Sequence, residues 1–206
     1  CRPRSFFRIH IGNGEVAFHR RLIRSSLIRK MVRYFCIDFE TNGFPPKEIA
    51  SYDDLPRPWA NMPIQVSVDI VDSVGVVEHA YDAVIRGATR LCPWVLQNVP
   101  ISLNEVREGK PLHQVVDELN NLLGSDDIIV AHNVSFDMSL ALARTCGRMG
   151  ILSPAIHRVL AAPRFCTMKC SYSRTVFGKW PKLKELCEHF NVELTQAHDA
   201  RADSEA

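Results

Sequence analysis

Two acidic residues stand side by side at the end of an apolar run. Asp38 and Glu40 close residues 34–39, whose aromatic and β-branched side chains predict a buried strand. Side chains at positions i and i+2 of a strand share a face, so both carboxylates lie on one side. Buried neighbouring carboxylates repel each other, and a divalent cation would offset that cost. A pair with this spacing arises about once by chance in a chain of this size, so a solvated strand end is the alternative.

Three residues further along the chain add to this pair. Asp137 falls in the first turn of a predicted helix, where an acid also stabilises the helix itself. His198 and Asp203 are five residues apart, which is about 140° around an α-helix. We therefore expect His198 on the loop before the last helix and Asp203 on that helix. Histidine changes charge near neutral pH, so a loop histidine suits a base that takes a proton from water.

The elements that must position these residues follow from hydrophobic periodicity. Strands are predicted at 34–39, 64–71 and 76–85, as an antiparallel meander, and at 128–131. Helices are predicted at 111–123, at 135–149 with a Ser135 cap and a Gly150 end, at 183–190, and from about residue 200. Leading strands followed by alternating helices and strands predict an α/β fold, a mixed sheet flanked by helices.

Together these residues resemble the motifs of the DEDD exonuclease superfamily, which has a ribonuclease H-like fold. Residues 38–41 resemble its first motif, residues 132–137 its second, and His198 with Asp203 its third, in the His-x4-Asp form. The sister branch has Tyr-x3-Asp, which would place tyrosine where this chain has Asp199, so the histidine branch (DEDDh) is favoured. Residues 179–183 resemble a further segment of that branch. The resemblance covers residues 33–206 and includes polymerase proofreading subunits and ribonuclease T-like exonucleases.

The resemblance implies a metal-dependent 3′→5′ exonuclease that releases nucleoside monophosphates. Two Mg²⁺ ions, or Mn²⁺, would be held by Asp38, Glu40, Asp137 and Asp203, with His198 as the base. Candidate substrate-binding residues are Thr41, Asn42, Gly43, Phe44, Asn133 and Phe136. The implied partner is a nucleic acid, single-stranded DNA or RNA, with a free 3′ end. A polymerase or processing-complex partner, a homodimer, and a binding subunit with little or no turnover remain open alternatives.

The resemblance also implies a last helix that is cut short after Asp203. Relatives continue that helix for several turns, and only three residues follow Asp203 here. We therefore expect Asp203 to lie in a fraying turn with little packing.

The charges divide the chain at residue 30. Residues 1–30 carry eight basic residues against Glu15, whereas residues 31–206 carry 17 basic and 22 acidic residues. The sequence therefore predicts a basic arm at 1–30 and an exonuclease domain at 31–206. The arm reads as disordered or non-native, as a targeting segment of the mitochondrial kind, or as a tail that contacts phosphates. In the acidic domain, substrate attraction would depend on bound metal ions rather than on a basic face.

Seven scattered cysteines bear on the setting of the protein. Their odd number and irregular spacing favour a reducing intracellular compartment, without choosing among nucleus, cytoplasm and organelle. Cys166, Cys170, Cys187 and His189 form a minor alternative, a zinc site with unusually loose spacing. No run of 18 apolar residues occurs, so no membrane span is expected.

Overall fold

The structure is a computed structural model, and it describes residues 32–43, 61–172, 178–194 and 197–206, with the side chains of 78–80 excepted. All of these residues belong to the unit Met31–Ala206. The predicted basic arm at 1–30 and the substrate-binding prediction for Phe44 lie outside the described residues. None of the described helices combines the length and the apolar character that crossing a membrane requires.

Three antiparallel strands lead the fold, as predicted. They are β1 (Tyr34–Thr41), β2 (Pro63–Val71) and β3 (Val77–Arg86), with β2 between the other two. Phe35, Ile37 and Phe39 of β1 are at most 2% exposed and fill the core on one face of the sheet. Because side chains alternate along a strand, Asp38 and Glu40 lie together on the opposite face.

The remaining strands complete a six-stranded mixed sheet with the order β4-β3-β2-β1-β5-β6. Here β4 (Lys110–Pro111) pairs with β3, β5 (Ile128–Ala131) with β1, and β6 (Arg164–Cys166) with β5, all in parallel. The helices are α1 (Pro93–Asn98), α2 (Leu103–Glu108), α3 (Leu112–Leu122), α4 (Arg144–Met149), α5 (Pro154–Ala161), α6 (Thr167–Tyr172), α7 (Leu183–Phe190) and α8 (Ala200–Glu205). This is the predicted α/β class, a mixed sheet flanked by helices. The ribonuclease H-like exonuclease fold has this architecture.

The helix predicted at 135–149 differs from the expectation at its start. Residues Phe136–Ala143 form a π-helical segment, and α4 continues it. The Ser135 cap is wrong, because Ser135 already has helical angles (φ −70°, ψ −31°) and its side chain makes no capping hydrogen bond. The predicted end is confirmed, since Gly150 adopts the left-handed conformation (φ 68°). Single π-helical turns are rare and concentrate at functional sites.

Two apolar clusters hold these elements in place. The larger one joins the buried face of β1–β3 and β5 to α3, the π-helical segment and α5. A smaller one, built around Ile64, Val95 and Val106, seats α1 and α2 beside the start of β2. On the other face of the sheet, α8 packs against β1 and β2. The face that carries Asp38 and Glu40 is therefore enclosed by α8.

Candidate active site

The end of β1 supplies the first two carboxyl groups of the site. Asp38 lies opposite Ser67 of β2, and Glu40 opposite Gln65. Burial, reinforced by the charges of Asp137 and Glu40, raises the pKa of Asp38 well above its usual value. Burial, and then the charge of Asp203, raises the pKa of Glu40 to about 8. Neither carboxyl ionises readily unless positive charge is added.

Asp137 joins the pair from the first turn of the π-helical segment. Its side chain is only 1% exposed, and its Oδ1 accepts a hydrogen bond of 3.1 Å from the backbone N–H of Phe39. This bond ties the carboxyl to β1 at the residue between Asp38 and Glu40. Burial raises the pKa of Asp137 as well. Its Oδ2 is buried and has no hydrogen-bond partner among the residues that the structure describes.

His198 and Asp203 come from the loop before α8 and from α8, as predicted, on the sheet face that carries Asp38 and Glu40. His198 is exposed and lies on the loop before α8, where it adopts a left-handed backbone (φ 67°). Asp199 follows as the N-cap of α8 and accepts a hydrogen bond from Arg201. The backbone N–H of His198 donates to Asp203 Oδ2 at 3.1 Å, and this hydrogen bond joins the loop to the first turn of α8. Burial raises the pKa of Asp203.

The expectation that Asp203 occupies a loosely packed, fraying turn is wrong. Ala200, in the first turn of α8, is fully buried, and Ser204 forms hydrogen bonds to the sheet. These two residues are four apart and therefore share a helical face. The helix is short but docked, and Asp203 projects from a fixed element.

The five predicted residues meet in one place. Ligand atoms of Glu40, His198 and Asp203 lie within 4.8 Å of one another. Asp38 and Asp137 interact with each other and with Glu40 through their charges. A cavity of about 260 Å³ runs past Asp38, Glu40, His198 and Asp203. The sequence-predicted set is thus assembled from β1, the π-helical segment, the loop before α8, and α8.

The chemistry of this set fits divalent cations. In the described part of the chain, two buried carboxylate oxygens, Asp137 Oδ2 and Asp203 Oδ1, have no hydrogen-bond donor. A buried acceptor without a donor is costly, and a hard cation would satisfy it. Oxygen donors from aspartate and glutamate suit Mg²⁺ or Mn²⁺. The residues present therefore fit the divalent metal ions that the resemblance implies.

One wall of the cavity was not predicted from the sequence. Trp94 of α1 is 43% exposed, lines the cavity, and sets its ring at 81° to that of His198, with 4.8 Å between ring centroids. Helix α1 has six residues, too few for a hydrophobic period to appear. Its signals were Pro93 in the first turn and Cys92 at the N-cap, whose sulfur accepts from Val95 N–H at 3.5 Å. The predicted Phe136 lines the same cavity.

Residues 41–43 form the floor next to this wall. Thr41 and Gly43 line the cavity. Asn42 is 3% exposed; its Oδ1 accepts from Met62 N–H at 2.8 Å, and its backbone carbonyl accepts from Cys92 N–H at 3.0 Å. Through its side chain and its backbone carbonyl, Asn42 therefore joins the end of β1 to the segments that precede β2 and α1. Substrate contact by residues 41–43 stays a prediction.

The loop after β5 positions Asp137. Asn133 is left-handed (φ 71°), and its carbonyl accepts from Phe136 N–H at 2.7 Å in the turn that opens the π-helical segment. His132 lies 3.0 Å from Thr167 Oγ1 through Nδ1 and 3.1 Å from the Pro181 carbonyl through Nε2. Both residues thus order this loop. Substrate binding by Asn133 stays a prediction.

The zinc alternative finds no support in the described residues. There, histidine, cysteine and acidic side chains gather in ligand geometry only at Glu40, His198 and Asp203. Cys166, Cys170 and Cys187 are free thiols, and burial raises the pKa of Cys187.

Comparison with known proteins also indicates an exonuclease. The model of the exonuclease family RNase_T matches residues 35–206. DNA polymerase III PolC-type of Bacillus subtilis (strain 168) is 26% identical over 178 residues, covering 84% of this chain and 11% of that protein. An ExoI–ssDNA complex of E. coli superimposes with a TM-score of 0.63 at 19% identity, over 84% of this chain and 38% of that one.

A second solved structure is similar over a larger share of its own chain. It shows 3′-end specific recognition of a histone mRNA stem-loop by a 3′-exonuclease, with a TM-score of 0.64 and 18% identity. That match covers 85% of this chain and 77% of the other. The chain spans only about a tenth of the polymerase and less than two fifths of ExoI. At these identities, the structural matches establish the fold.

Proposed function

The chain belongs to the exonuclease family, and from that premise we propose that it is a 3′→5′ exonuclease with a two-metal mechanism. It hydrolyses the terminal phosphodiester bond of a nucleic acid and releases nucleoside monophosphates. One observation carries the proposal: four carboxyl groups from three elements, Asp38, Glu40, Asp137 and Asp203, converge with a histidine on one cleft. Their raised pKa values support a role that requires bound cations.

The carboxyl groups would hold two Mg²⁺ or Mn²⁺ ions. When bound, such ions supply the positive charge that activates water and stabilises the leaving 3′ oxygen. The chain contributes a rigid cradle. Asp137 is fixed to β1 by the Phe39 N–H, and Asp203 is fixed by the His198 N–H, which leaves one free oxygen on each for a cation.

His198 takes the role of general base, as in the histidine branch. Its ring lines the cavity and contacts the edge of Trp94, while the residue stays exposed to solvent. A ring nitrogen accepts the proton of the attacking water and passes it to bulk solvent. The left-handed backbone at His198 supports this role, because the chain turns there to bring both His198 and Asp203 to the same cavity.

The terminal nucleotide would occupy the 260 Å³ cavity beside these groups. Trp94 and Phe136 offer aromatic surface to its base or sugar, and Thr41 and Gly43 offer backbone at the floor. Asn133 lies in the loop that opens the π-helical segment beside Phe136. This arrangement fits a single-stranded 3′ end, which presents an unpaired base to the aromatic walls.

The substrate is DNA or RNA with a free 3′ end, as the names of the similar proteins suggest. One of those proteins is a polymerase, and another is a 3′-exonuclease that recognises an mRNA stem-loop. We therefore propose a polymerase or an RNA-processing complex as a partner of this chain. An intracellular location fits the six described cysteines, all of which are free thiols.

The test is a directionality assay on matched single-stranded DNA and RNA oligonucleotides. With Mg²⁺, a 3′-terminal label should appear at once as mononucleotide, while a 5′-terminal label should remain on a progressively shorter ladder. EDTA should stop both the release of the 3′ label and the shortening of the 5′-labelled strand. Circular single-stranded DNA is the control and should survive. Cleavage of the circle, or early release of the 5′ label, would contradict the proposal, and binding without turnover in Mg²⁺ and Mn²⁺ would favour the binding-subunit alternative.

A further inference from the structure

The face of α8 that contacts the sheet packs against polar side chains of β2. Ser204 Oγ lies 2.8 Å from Asp69 Oδ2 and 3.0 Å from Ser67 Oγ. Ser67 is fully buried and Asp69 is 2% exposed. Beside them, the N–H of Ala200 points to Gln65 Oε1 at 3.5 Å. The helix that carries Asp203 is therefore docked largely through a buried polar contact.

This contact extends to β3 and along α8. Ser67 Oγ donates to Asp82 Oδ1 at 2.7 Å. Arg201 lies 3.5 Å from Asp82 and 3.0 Å from Glu205. These two ion pairs are largely exposed, and exposed pairs add little to stability. The hydrogen bonds of Ser204 to the buried Ser67 and Asp69 thus carry the specific part of the docking.

The two serine hydroxyls donate to the two acids. Ser204 Oγ makes three oxygen contacts, to Asp69, to Ser67 and to the Arg201 carbonyl at 3.0 Å, and Ser67 makes a fourth, to Asp82. Two hydroxyl groups supply only two hydrogens for these four contacts. The two shortest contacts take them, so Ser204 donates to Asp69 at 2.8 Å and Ser67 donates to Asp82 at 2.7 Å.

The surroundings of Asp69 act on its pKa in both directions. Burial raises the pKa, and the charges of Glu205 and Asp82 act in the same direction, whereas the Ser204 hydrogen bond and the charge of Arg201 lower it. Cys36, opposite Asp69 on β1, is kept neutral because burial raises its own pKa to about 11.

We propose that Ser204 and Asp69 are positioning residues that hold Asp203 in place for metal binding. The inference rests on the proposed function, since it assigns Asp203 a metal. Ser204 follows Asp203 directly, and the His198 N–H restrains Asp203 from the opposite side. Loss of the Ser204 contact lets α8 rotate on the sheet and separates Asp203 from Glu40.

The experiment compares Mn²⁺ binding by calorimetry in the full chain and its variants, well below every unfolding midpoint. Ser204→Ala and Asp69→Ala should weaken Mn²⁺ binding by about 10- to 100-fold, as losses behind a metal ligand do. Asp69→Asn should stay near wild type, because its amide oxygen accepts the same hydrogen bond from Ser204. Ser125→Ala, in the exposed turn before β5, removes a hydrogen bond to the neighbouring Asp126; it is the matched control and should leave Mn²⁺ affinity unchanged.

A second readout needs no metal. Hydrogen exchange of the α8 amides should accelerate in Ser204→Ala and Asp69→Ala and not in Asp69→Asn. Wild-type Mn²⁺ affinity with slow exchange in both alanine variants would overturn the anchor and leave the exonuclease proposal intact. Asp69→Asn behaving like Asp69→Ala would overturn the hydrogen bond between Ser204 and residue 69 as the anchor. A wild-type chain that binds no Mn²⁺, or an Asp203→Asn variant that binds it normally, would instead refute the metal site itself.

Discussion

The carboxyl groups of the site are held where their charges are unfavourable. Glu40 has a pKa near 8, and Asp137 is nearly inaccessible, with one oxygen lacking a donor in the described part of the chain. Such an arrangement costs stability in the metal-free protein and is relieved by bound cations. The acids are therefore better explained by function than by folding.

Glu40 makes the stability of the metal-free protein depend on pH. It ionises near 4.5 when unfolded and near 8 when folded, so between these values the folded state binds more protons. Stability in EDTA should then fall as pH rises from about 5 to about 8 and level off above. Glu40→Gln should flatten part of this slope. Urea unfolding of both proteins across that range measures it, and identical slopes would count against the pKa assignment.

The general-base role proposed for His198 can be separated from metal ligation. Asparagine tolerates the left-handed backbone found there, so His198→Asn should preserve the loop. We expect single-turnover rates to fall by about 10²- to 10⁴-fold with Mn²⁺ affinity unchanged. If Mn²⁺ affinity falls as far as in Asp203→Asn, His198 is a ligand and not the base.

At this scale, the acidic residues and His198 could be predicted because their types and order limit the chemistry. Trp94 could not be, because an exposed tryptophan on a six-residue helix has no pattern that links it to residue 198. Its proximity to His198 arises only when α1 and the loop before α8 meet in the fold.

At the scale of elements, the position of α1, which carries Trp94, depends on the close contact between Gly43 and Cys92. This glycine has φ +128°, and an added Cβ would lie 2.5 Å from Cys92 Sγ. Gly75, with φ +87° and open space around it, is a matched control for backbone strain alone. We expect Gly43→Ala to cost about 1–3 kcal/mol more than Gly75→Ala and to lower activity. Denaturant unfolding measures the difference, and equal costs would remove the role of Gly43 in seating α1.

Element length decided part of what the sequence could predict. The three leading strands and α3 are long enough for a period to repeat, and their predictions were confirmed. Helices α1, α2 and α6 have six residues, and β4 and β6 have two and three, so no period forms. Helices α5 and α7 both have eight residues, and only α7 was predicted. The π-helical segment was also invisible, because its apolar residues fit an α-helix equally well. The docking of α8 was missed because its anchor, Ser204 on Asp69, is polar.

At the scale of the molecule, the exonuclease domain is acidic, and so is the nucleic acid proposed as its substrate. Residues 31–206 carry 17 basic and 22 acidic residues, so we expect bound cations to contribute to nucleic-acid attraction. Binding of a single-stranded 3′ end should be at least about tenfold weaker in EDTA than in Ca²⁺, an oxygen-seeking ion. Fluorescence anisotropy measures both. Equal affinities in EDTA and in Ca²⁺ would mean that groups other than the metal site attract the nucleic acid. The basic residues 1–30 would then be the first candidate.

The central claim is that the acids at the end of β1 perform metal-dependent exonucleolysis. Asp38→Asn removes one repelling charge without changing side-chain size, so the metal-free variant should fold at least as stably as wild type. The decisive measurement is its rate of mononucleotide release from a 3′ end in Mg²⁺. We predict a loss of about 10³-fold or more, equivalent to about 4 kcal/mol of transition-state stabilisation. A folded Asp38→Asn variant that releases mononucleotides at the wild-type rate would contradict the assignment.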